Sequence, residues 1–371
     1  MRKILIVFSL MCILTVPALA DEPTISAESA ILYCSNTGDT VYEKNADEKM
    51  LIASTTKIMT AIVVIENCDL NAEVEIKTEW CAVEGSSMYL KAGESYTVRE
   101  LLQGMLITSG NDAATALANY TAGSEESFAA LMNEKAQLLG MVNSSFSNPH
   151  GLDAEDHYST ARDMAILADY CMQNEDFRSV VSMKSAEIKG LTYINHNKLL
   201  WQYDGCCGVK TGYTMAAART LVSCAERSGL RFICVTLKAP EDWEDHKTLF
   251  DIGFERYKMS SLKSDAFSVS LPVVSAAKNS VCAGIEKDID VVCQTNDSVT
   301  VELDAPRVLF AGGLRGEKVG EIRVFVNGRL AAREDLVYTD NVPTDKSHKA
   351  DTSERISRIF DTRIKPYYIS G

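Results

Sequence analysis

The chain has 371 residues, of which 46% are hydrophobic and 24% charged, so it is long enough for two or three globular domains with sizeable cores. Its formal net charge of −14 argues against a nucleic-acid partner, because nucleic acids are bound by basic surfaces. An anionic substrate would therefore have to meet a local cation.

The first twenty residues have the composition of a secretory signal peptide. Arg2 and Lys3 precede the apolar run 4–16, which is too short for a comfortable membrane span, and the segment ends on small residues at Ala20. We expect residues 1–20 to be removed and the mature chain to be exported. Loss of these two cations and of no acidic residue changes the net charge from −14 to −16.

Hydrophobic periodicity and turn residues predict these elements in chain order: a hairpin over 30–43, helices over 54–66, 97–121, 124–140 and 161–174, strands over 208–214 and 219–239, and a closing helix over 243–257. The second helical pattern is interrupted at Thr-Ser-Gly-Asn. Because strands lie at both ends of this region and helices lie between them, we predict an α+β domain. Its sheet would join distant segments around a helical insertion.

The remainder of the chain has a different pattern. Apolar residues alternate with a period of two beyond about residue 262, and Asn327-Gly328 is a typical hairpin turn, so 265–340 is predicted to be a small β-rich domain. A polar tail over 343–371 follows, with a predicted short amphipathic helix within 352–366. Its apolar stripe beside basic residues predicts contact with a membrane surface, and a loosely attached tail is the alternative.

Ten of the eleven cysteines follow the predicted signal peptide, and in an exported chain this number suggests disulfides. Several of them lie in apolar, strand-like runs, where cysteine often packs as a small hydrophobe. Cys282 and Cys293 flank a polar turn and are the best candidates for a bridge. Anaerobic export would instead leave the thiols free.

Ser54 and Lys57 form a Ser-x-x-Lys pair within an apolar stretch. A cation in the first helical turn opposes the helix dipole, and a capping box would place Glu or Gln there. A serine nucleophile with a lysine base explains the anomaly, because burial lowers the pKa of a lysine and makes it a usable base. A capping Ser with a surface Lys is the alternative, and the same spacing at Ser260 and Lys263 shows that spacing alone does not decide.

Two later stretches complete a candidate site. Ser109-Gly110-Asn111 interrupts a helical pattern, and Lys210-Thr211-Gly212 begins a strand. Each has an ordinary structural explanation when taken alone, as a helix–helix turn and as an edge-strand lysine beside a bulge glycine. Ser-x-x-Lys, Ser-x-Asn and Lys-Thr-Gly in this order are, however, the signature set of penicillin-recognising serine acyl-transfer enzymes.

Over residues 26–258 the chain resembles the serine-type D-alanyl-D-alanine carboxypeptidases, which are low-molecular-mass penicillin-binding proteins. The segments that carry the resemblance are "ASTTKIMTA", "GSSMYLKAGE", "LLQGMLITSGNDAATALANYTAG", "NPHGLDAEDHYSTARDMA" and "GVKTGYT". The resemblance implies the penicillin-recognising serine-enzyme fold, with an antiparallel sheet flanked by helices, and a catalytic domain over 26–258. Residues 265–340 resemble the second domain of the family more weakly. Ala218 departs from the family, which usually has Gly there, and its methyl group is expected to crowd the strand.

The resemblance implies removal of the terminal D-alanine from peptidoglycan stem peptides through an acyl-enzyme, without a cofactor or metal. Ser54 would attack the carbonyl between the two D-alanines, and Lys57 would take its proton. Ser109 and Asn111 would relay a proton to the leaving group and hold the substrate amide.

The third motif would bind the substrate. Lys210 and Thr211 would hold the terminal carboxylate, and Gly212 and Tyr213 would complete this wall. The backbone N–H groups of Ser54 and Tyr213 would form an oxyanion hole. The resemblance also implies covalent inhibition by β-lactams and a location on the cell-wall side of the cytoplasmic membrane.

Three rival functions share some of these sequence features. A class A β-lactamase carries Ser-Asp-Asn where this chain has Gly110 in the middle, and the Glu-x-x-Leu-Asn block of those enzymes is missing from the sequence. A non-catalytic wall-binding protein would keep the fold, but every catalytic side chain is present. A metal peptidase could use His150, Asp153, Asp156 and His157, but a second ligand cluster does not follow.

Overall fold

The computed structural model describes residues 23–274, 276, 278–306 and 308–343, and the backbone of 367–368. The predicted signal peptide and the predicted tail helix therefore lie outside the described residues. Within the described ranges, none of the helices is both long and apolar enough to cross a membrane.

The longer helices agree with the predicted pattern, and several helices begin at capping residues. Thr97 and Glu100 form a reciprocal capping box, and Thr160 accepts a hydrogen bond from the backbone of Asp163. The helices are α1 (Lys57–Asn67), α2 (Val98–Ile107), α3 (Asn111–Ala122), α4 (Glu125–Leu138), α5 (Ala161–Gln173), α6 (Glu175–Val181), α7 (Leu199–Gln202) and α8 (Asp242–Arg256). The short helices α6 and α7 were not predicted.

The strands before α8 form one main sheet and two small two-stranded sheets. They are β1 (Ser29–Cys34), β2 (Asp39–Lys44), β3 (Glu73–Glu75), β4 (Ser95–Thr97), β5 (Ser185–Ile188), β6 (Leu191–Ile194), β7 (Cys206–Thr214), β8 (Ala218–Arg227) and β9 (Leu230–Leu237). The main sheet is antiparallel in the order β2-β1-β9-β8-β7. The segments before and after the helices therefore meet side by side, as predicted.

Both faces of this sheet are covered, because successive strand residues point to opposite sides. Ile31 of β1 belongs to the large core formed with α1, α2, α3 and α5. Leu32, the next residue, belongs to a second core with Leu249 and Phe250 of α8. The predicted α+β architecture, an antiparallel sheet flanked by helices with a helical insertion, is confirmed.

The rest of the described chain is β structure. Its strands are β10 (Tyr257–Leu262), β11 (Val269–Val274), β12 (Ser280–Gly284), β13 (Ile289–Gln294), β14 (Val299–Asp304), β15 (Leu309–Phe310), β16 (Lys318–Val326), β17 (Arg329–Tyr338) and β18 (Tyr367–Tyr368). β10 pairs with β13, and the other strands form a sheet in the order β15-β11-β12-β17-β16-β14-β18. Pairing with β13 thus connects Tyr257–Leu262 to the all-β part, although the sequence analysis extended the catalytic domain to 258.

All ten cysteines in the described residues are free thiols, so the predicted bridge between Cys282 and Cys293 is wrong. The two residues belong to strands of different sheets. Cys282 is exposed, whereas Cys293 is buried and its Sγ lies 3.8 Å from the carbonyl oxygen of Lys258. The polar turn between them therefore does not bring the thiols together.

Candidate active site

Ser54 and Lys57 lie where two kinds of helix meet. Residues Ala53–Thr56 form a 3₁₀ turn, and α1 begins only at Lys57, so Ser54 lies inside the turn and does not start the α-helix as predicted. The two side chains point the same way, and Lys57 Nζ is 3.0 Å from Ser54 Oγ. The sequence pair is therefore also a contact in space.

The Lys57 amine has three oxygen partners in a buried setting. Nζ is 2.7 Å from Asn111 Oδ1 and 2.7 Å from the carbonyl oxygen of His150, in addition to Ser54 Oγ. Burial lowers the pKa of Lys57 well below its ordinary value, and the nearby Lys210 lowers it further. A neutral amine has two N–H groups and one lone pair, which match two carbonyl acceptors and one hydroxyl donor.

The Ser-x-Asn segment forms the turn between α2 and α3. Ser109 is 4% exposed and adopts φ 65°, a left-handed conformation that is uncommon for residues other than glycine. Asn111 Nδ2 donates to the carbonyl of Glu84 at 2.5 Å, and the Asn111 N–H donates to the carbonyl of Ser86 at 2.7 Å. These bonds turn Oδ1 of Asn111 toward Lys57.

Asp112 fastens the loop that wraps this turn, a role that the sequence analysis missed. Its fully buried carboxylate accepts hydrogen bonds from Ser87 Oγ at 2.7 Å and from the N–H groups of Met88 and Leu90 at 2.9 and 3.0 Å. The signal in the sequence is an acidic residue in the first turn of a helix, where the dipole favours it. Asp112 thereby holds the segment that binds Asn111.

The Lys-Thr-Gly segment lies on β7, at the edge of the main sheet next to the Ser54 turn. A Cβ on Gly212 would lie 3.0 Å from Ser54 N and 2.4 Å from Thr220 Oγ1, so only glycine allows this approach. Lys210 is 1% exposed, its Nζ donates to the Thr211 carbonyl at 3.0 Å, and burial lowers its pKa to about 7.

These elements enclose a cavity of about 650 Å³, within the range of small-molecule sites. Ser54, Ser109, Thr211, Gly212 and Tyr213 line it. The other predicted site residues, Lys57, Asn111 and Lys210, are buried beside it. The structure therefore brings all eight sequence-predicted residues to one place.

A cationic wall of this cavity was not predicted. Arg219 on β8 lies opposite Tyr213 on β7, and 41% of its side chain is exposed. The buried Asp242 accepts from its Nε at 3.0 Å and from Nη2 at 2.7 Å, and the Trp243 ring centre is 5.5 Å from the guanidinium carbon. Only the hairpin register, which puts residue 219 across from 213, could have indicated Arg219 from the sequence.

The turn before Arg219 shows why glycine suits the position that Ala218 occupies. Ala218 adopts φ 54°, which glycine reaches without strain and residues with a Cβ do not. The free-energy cost of alanine at this position thus includes backbone strain, in addition to the crowding expected from the sequence.

The residues of two rival patterns have other partners. His157, considered as a metal ligand, lies within hydrogen-bonding distance of Thr56, and Asp153 accepts from Thr214. Among the described residues, no group of three or more His, Cys, Asp or Glu could hold a metal ion. Lys263 of the second Ser-x-x-Lys is exposed and pairs with Asp288 at 2.8 Å, so that motif is not a buried pair.

Comparisons with known proteins agree with this geometry. A family model for D-alanyl-D-alanine carboxypeptidase matches residues 17–241. The chain is 32% identical to D-alanyl-D-alanine carboxypeptidase DacF of Bacillus subtilis, over 84% of this chain and 86% of that protein. It is 35% identical to D-alanyl-D-alanine carboxypeptidase DacC of Escherichia coli, over 87% of this chain and 86% of that protein.

Solved structures are similar over the same region. Penicillin binding protein 5 from Haemophilus influenzae has a TM-score of 0.65 at 28% identity, covering 87% of this chain and 99% of that one. The Streptomyces K15 DD-transpeptidase has a TM-score of 0.60 at 36% identity, covering 63% of this chain and 98% of that one. The predicted fold is therefore confirmed, and the chain belongs to the D-alanyl-D-alanine carboxypeptidase family of serine-type peptidases.

Proposed function

We propose that this protein removes the terminal D-alanine from peptidoglycan stem peptides through an acyl-enzyme on Ser54. The observation that carries the proposal is the buried Lys57 amine, which lies 3.0 Å from Ser54 Oγ and 2.7 Å from each of two carbonyl oxygens. This arrangement provides a neutral base next to a nucleophile in a cavity of suitable size. Membership of the carboxypeptidase family supports the choice of substrate.

Acylation would begin when Lys57 accepts the Ser54 proton as Oγ attacks the carbonyl between the two D-alanines. The resulting oxyanion would be stabilised by the Ser54 and Tyr213 N–H groups, an effect that is typically worth several kcal/mol. As the C–N bond breaks, the leaving amine takes a proton that Lys57 returns through the Ser109 hydroxyl. Water then attacks the Ser54 ester, and its hydrolysis releases the shortened peptide. Asn111 would hold both the Lys57 amine and the substrate amide in position.

The free carboxylate of the leaving D-alanine requires a cation in this acidic protein. Thr211 and Arg219 both line the cavity, so we assign direct contact with the carboxylate to them. Lys210, to which the sequence analysis gave this role, is almost fully buried next to Thr211 and adds positive charge from behind the wall. Hydrogen bonds to charged groups contribute about 1.5–3 kcal/mol.

Because stem peptides lie outside the cytoplasmic membrane, we also propose that the protein is exported and that residues 1–20 are cleaved. Residues 26–258 would then act as the catalytic domain and 265–340 as an accessory β-rich domain. β-Lactams, whose strained amide reacts with the same serine, are the expected covalent inhibitors.

The proposal can be tested by intact mass after exposure to benzylpenicillin. Wild type should gain the mass of one penicillin, and Ser54→Ala should gain none. Ser260→Ala, in the second Ser-x-x-Lys segment, is the matched control and should be labelled as wild type is. Lys57→Ala should react roughly 10²–10⁴-fold more slowly, which is the usual contribution of a general base. Labelling that persists in Ser54→Ala would rule out this nucleophile.

A further inference from the structure

The peptide group that joins Ala53 to Ser54 is held by a hydrogen bond at its carbonyl end. Its N–H belongs to Ser54 and is a donor of the proposed oxyanion hole. Its carbonyl belongs to Ala53 and accepts a hydrogen bond from Thr56 Oγ1 at 2.8 Å, in a fully buried setting. Because a peptide group is planar, the direction of the carbonyl sets the direction of the N–H.

The hydroxyl of Thr56 is itself oriented by His157. His157 Nε2 lies 2.7 Å from Thr56 Oγ1, and its Nδ1 is 3.1 Å from the N–H of Ser147. Since Nδ1 accepts from this N–H, the proton of the neutral ring lies on Nε2, and Nε2 donates to Thr56. The hydroxyl proton of Thr56 is then directed at Ala53. Burial lowers the pKa of His157 to about 4, which keeps the ring neutral near pH 7.

Two further features concern the conformation and the packing of this peptide. Ala53 adopts φ 46°, in the left-handed region, directly before the nucleophile. Gly151 packs so closely that a Cβ there would lie 1.9 Å from the Ala53 oxygen and 2.8 Å from Thr56 Oγ1. A strained peptide needs surrounding contacts to keep its orientation, and these contacts come from the 144–160 loop.

We propose that His157 and Thr56 are positioning residues for the oxyanion hole: the chain of hydrogen bonds from His157 through Thr56 to the Ala53 carbonyl fixes the direction of the Ser54 N–H. The chain also polarises the peptide, because a hydrogen bond on the carbonyl strengthens the N–H as a donor. This inference rests on the proposed role of Ser54, and neither residue touches substrate. A histidine that only fills the core would leave the acylation rate unaffected in any variant that folds.

The test replaces each positioning residue in two ways. Thr56→Val keeps the shape but removes the hydroxyl, and Thr56→Ser restores the hydroxyl. His157→Phe removes both ring nitrogens, whereas His157→Gln keeps an N–H donor near the position of Nε2. The rate constant for acylation by benzylpenicillin, kcat and KM for an acyl-D-Ala-D-Ala peptide, and the thermal unfolding midpoint are measured for each variant.

We expect Thr56→Val and His157→Phe to acylate at least tenfold more slowly, with kcat falling and KM nearly constant, because loss of an oxyanion donor costs roughly 10²–10³ in kcat and a misdirected donor costs less. Thr56→Ser should recover most of the acylation rate, and His157→Gln should be acylated faster than His157→Phe. Affinity for a boronic acid peptide, whose tetrahedral adduct resembles the transition state, should fall in parallel with the rate.

Wild-type acylation rates in folded Thr56→Val or His157→Phe would overturn the inference, as would a lower rate with unchanged boronic acid affinity. The two pairs test one chain of hydrogen bonds from opposite ends, so a single pair that folds is sufficient. Failure of wild type to be labelled at Ser54 would contradict the proposed function instead, so the two failures are distinguishable.

Discussion

Replacement of Asn111 by aspartate tests whether Lys57 must be neutral to act as the base. The substitution keeps the shape of the side chain and places a carboxylate where an amide oxygen now lies 2.7 Å from Lys57 Nζ. An anion at this distance stabilises the ammonium form and raises the pKa of Lys57, which burial and Lys210 otherwise lower. Lys57 would then hold its proton near neutral pH and could not accept one from Ser54.

The size of the effect follows from the distance and the burial. Two unit charges about 4 Å apart interact with roughly 4 kcal/mol at an effective dielectric constant of about 20, which corresponds to about three pKa units. Burial of the new carboxylate raises its own pKa and offsets part of this gain. We therefore expect acylation at pH 7 to slow by about 10²-fold and to recover about tenfold per pH unit as the pH rises.

The assay is the single-turnover rate of acylation by benzylpenicillin between about pH 6 and 10. Asn111→Ala is the matched control, because it removes the same acceptor without adding a charge. Its rate should fall, but the midpoint of its pH profile should not move upward. If the profiles of Asn111→Asp and Asn111→Ala coincide, the charge at this position does not matter and Lys57 is not the base.

Three further predictions concern the substrate end, a strained turn and the tail. Arg219→Ala should slow turnover of an acyl-D-Ala-D-Ala peptide by about 10- to 100-fold but barely affect turnover of its C-terminally amidated form. Lys210→Ala should slow turnover of both forms, and the opposite pattern would assign the carboxylate contact to Lys210. Ala218→Gly should raise the unfolding free energy in urea by about 1 kcal/mol, because a left-handed φ costs an L-residue roughly 1–2 kcal/mol, and no gain would contradict this strain. A protein that ends at Val342 should co-sediment with anionic vesicles less than the full chain, and equal binding would exclude an anchor in 352–366.

Much of the fold could be predicted because it depends on local patterns. The interruption at Ser109 separates α2 from α3, and two apolar, β-rich runs joined by Arg227-Ser228-Gly229 mark β8 and β9. The 3₁₀ turn at Ser54 could not be predicted, because it is maintained by contacts with residues about one hundred positions away, such as Gly151 and His157. The absence of a bridge between Cys282 and Cys293 could not be predicted either, because it depends on which sheet each strand joins.

The candidate site shows the same division. Three motifs identified the eight central residues, since the chemistry needs those residue types at short spacing. The supporting residues Asp112, His157 and Arg219 belong to no motif, because their partners are distant in sequence and are brought near by folding alone. Arg219 in particular depends on the β7–β8 register, which is set by the length and conformation of the turn between the two strands.

The basic side chains of the site differ in burial and in the groups that they contact. Arg219 is the site cation that has a buried carboxylate partner, Asp242. Lys57 and Lys210 are more deeply buried, and the oxygens that accept their hydrogen bonds are uncharged. The nearby Asp112 favours protonation of Lys57, but its oxygens are occupied by hydrogen bonds from the 87–90 segment. Burial without a carboxylate contact lowers the pKa of both lysines. Under the proposed roles, the cation that binds the substrate carboxylate is therefore a different residue from the amine that accepts the Ser54 proton.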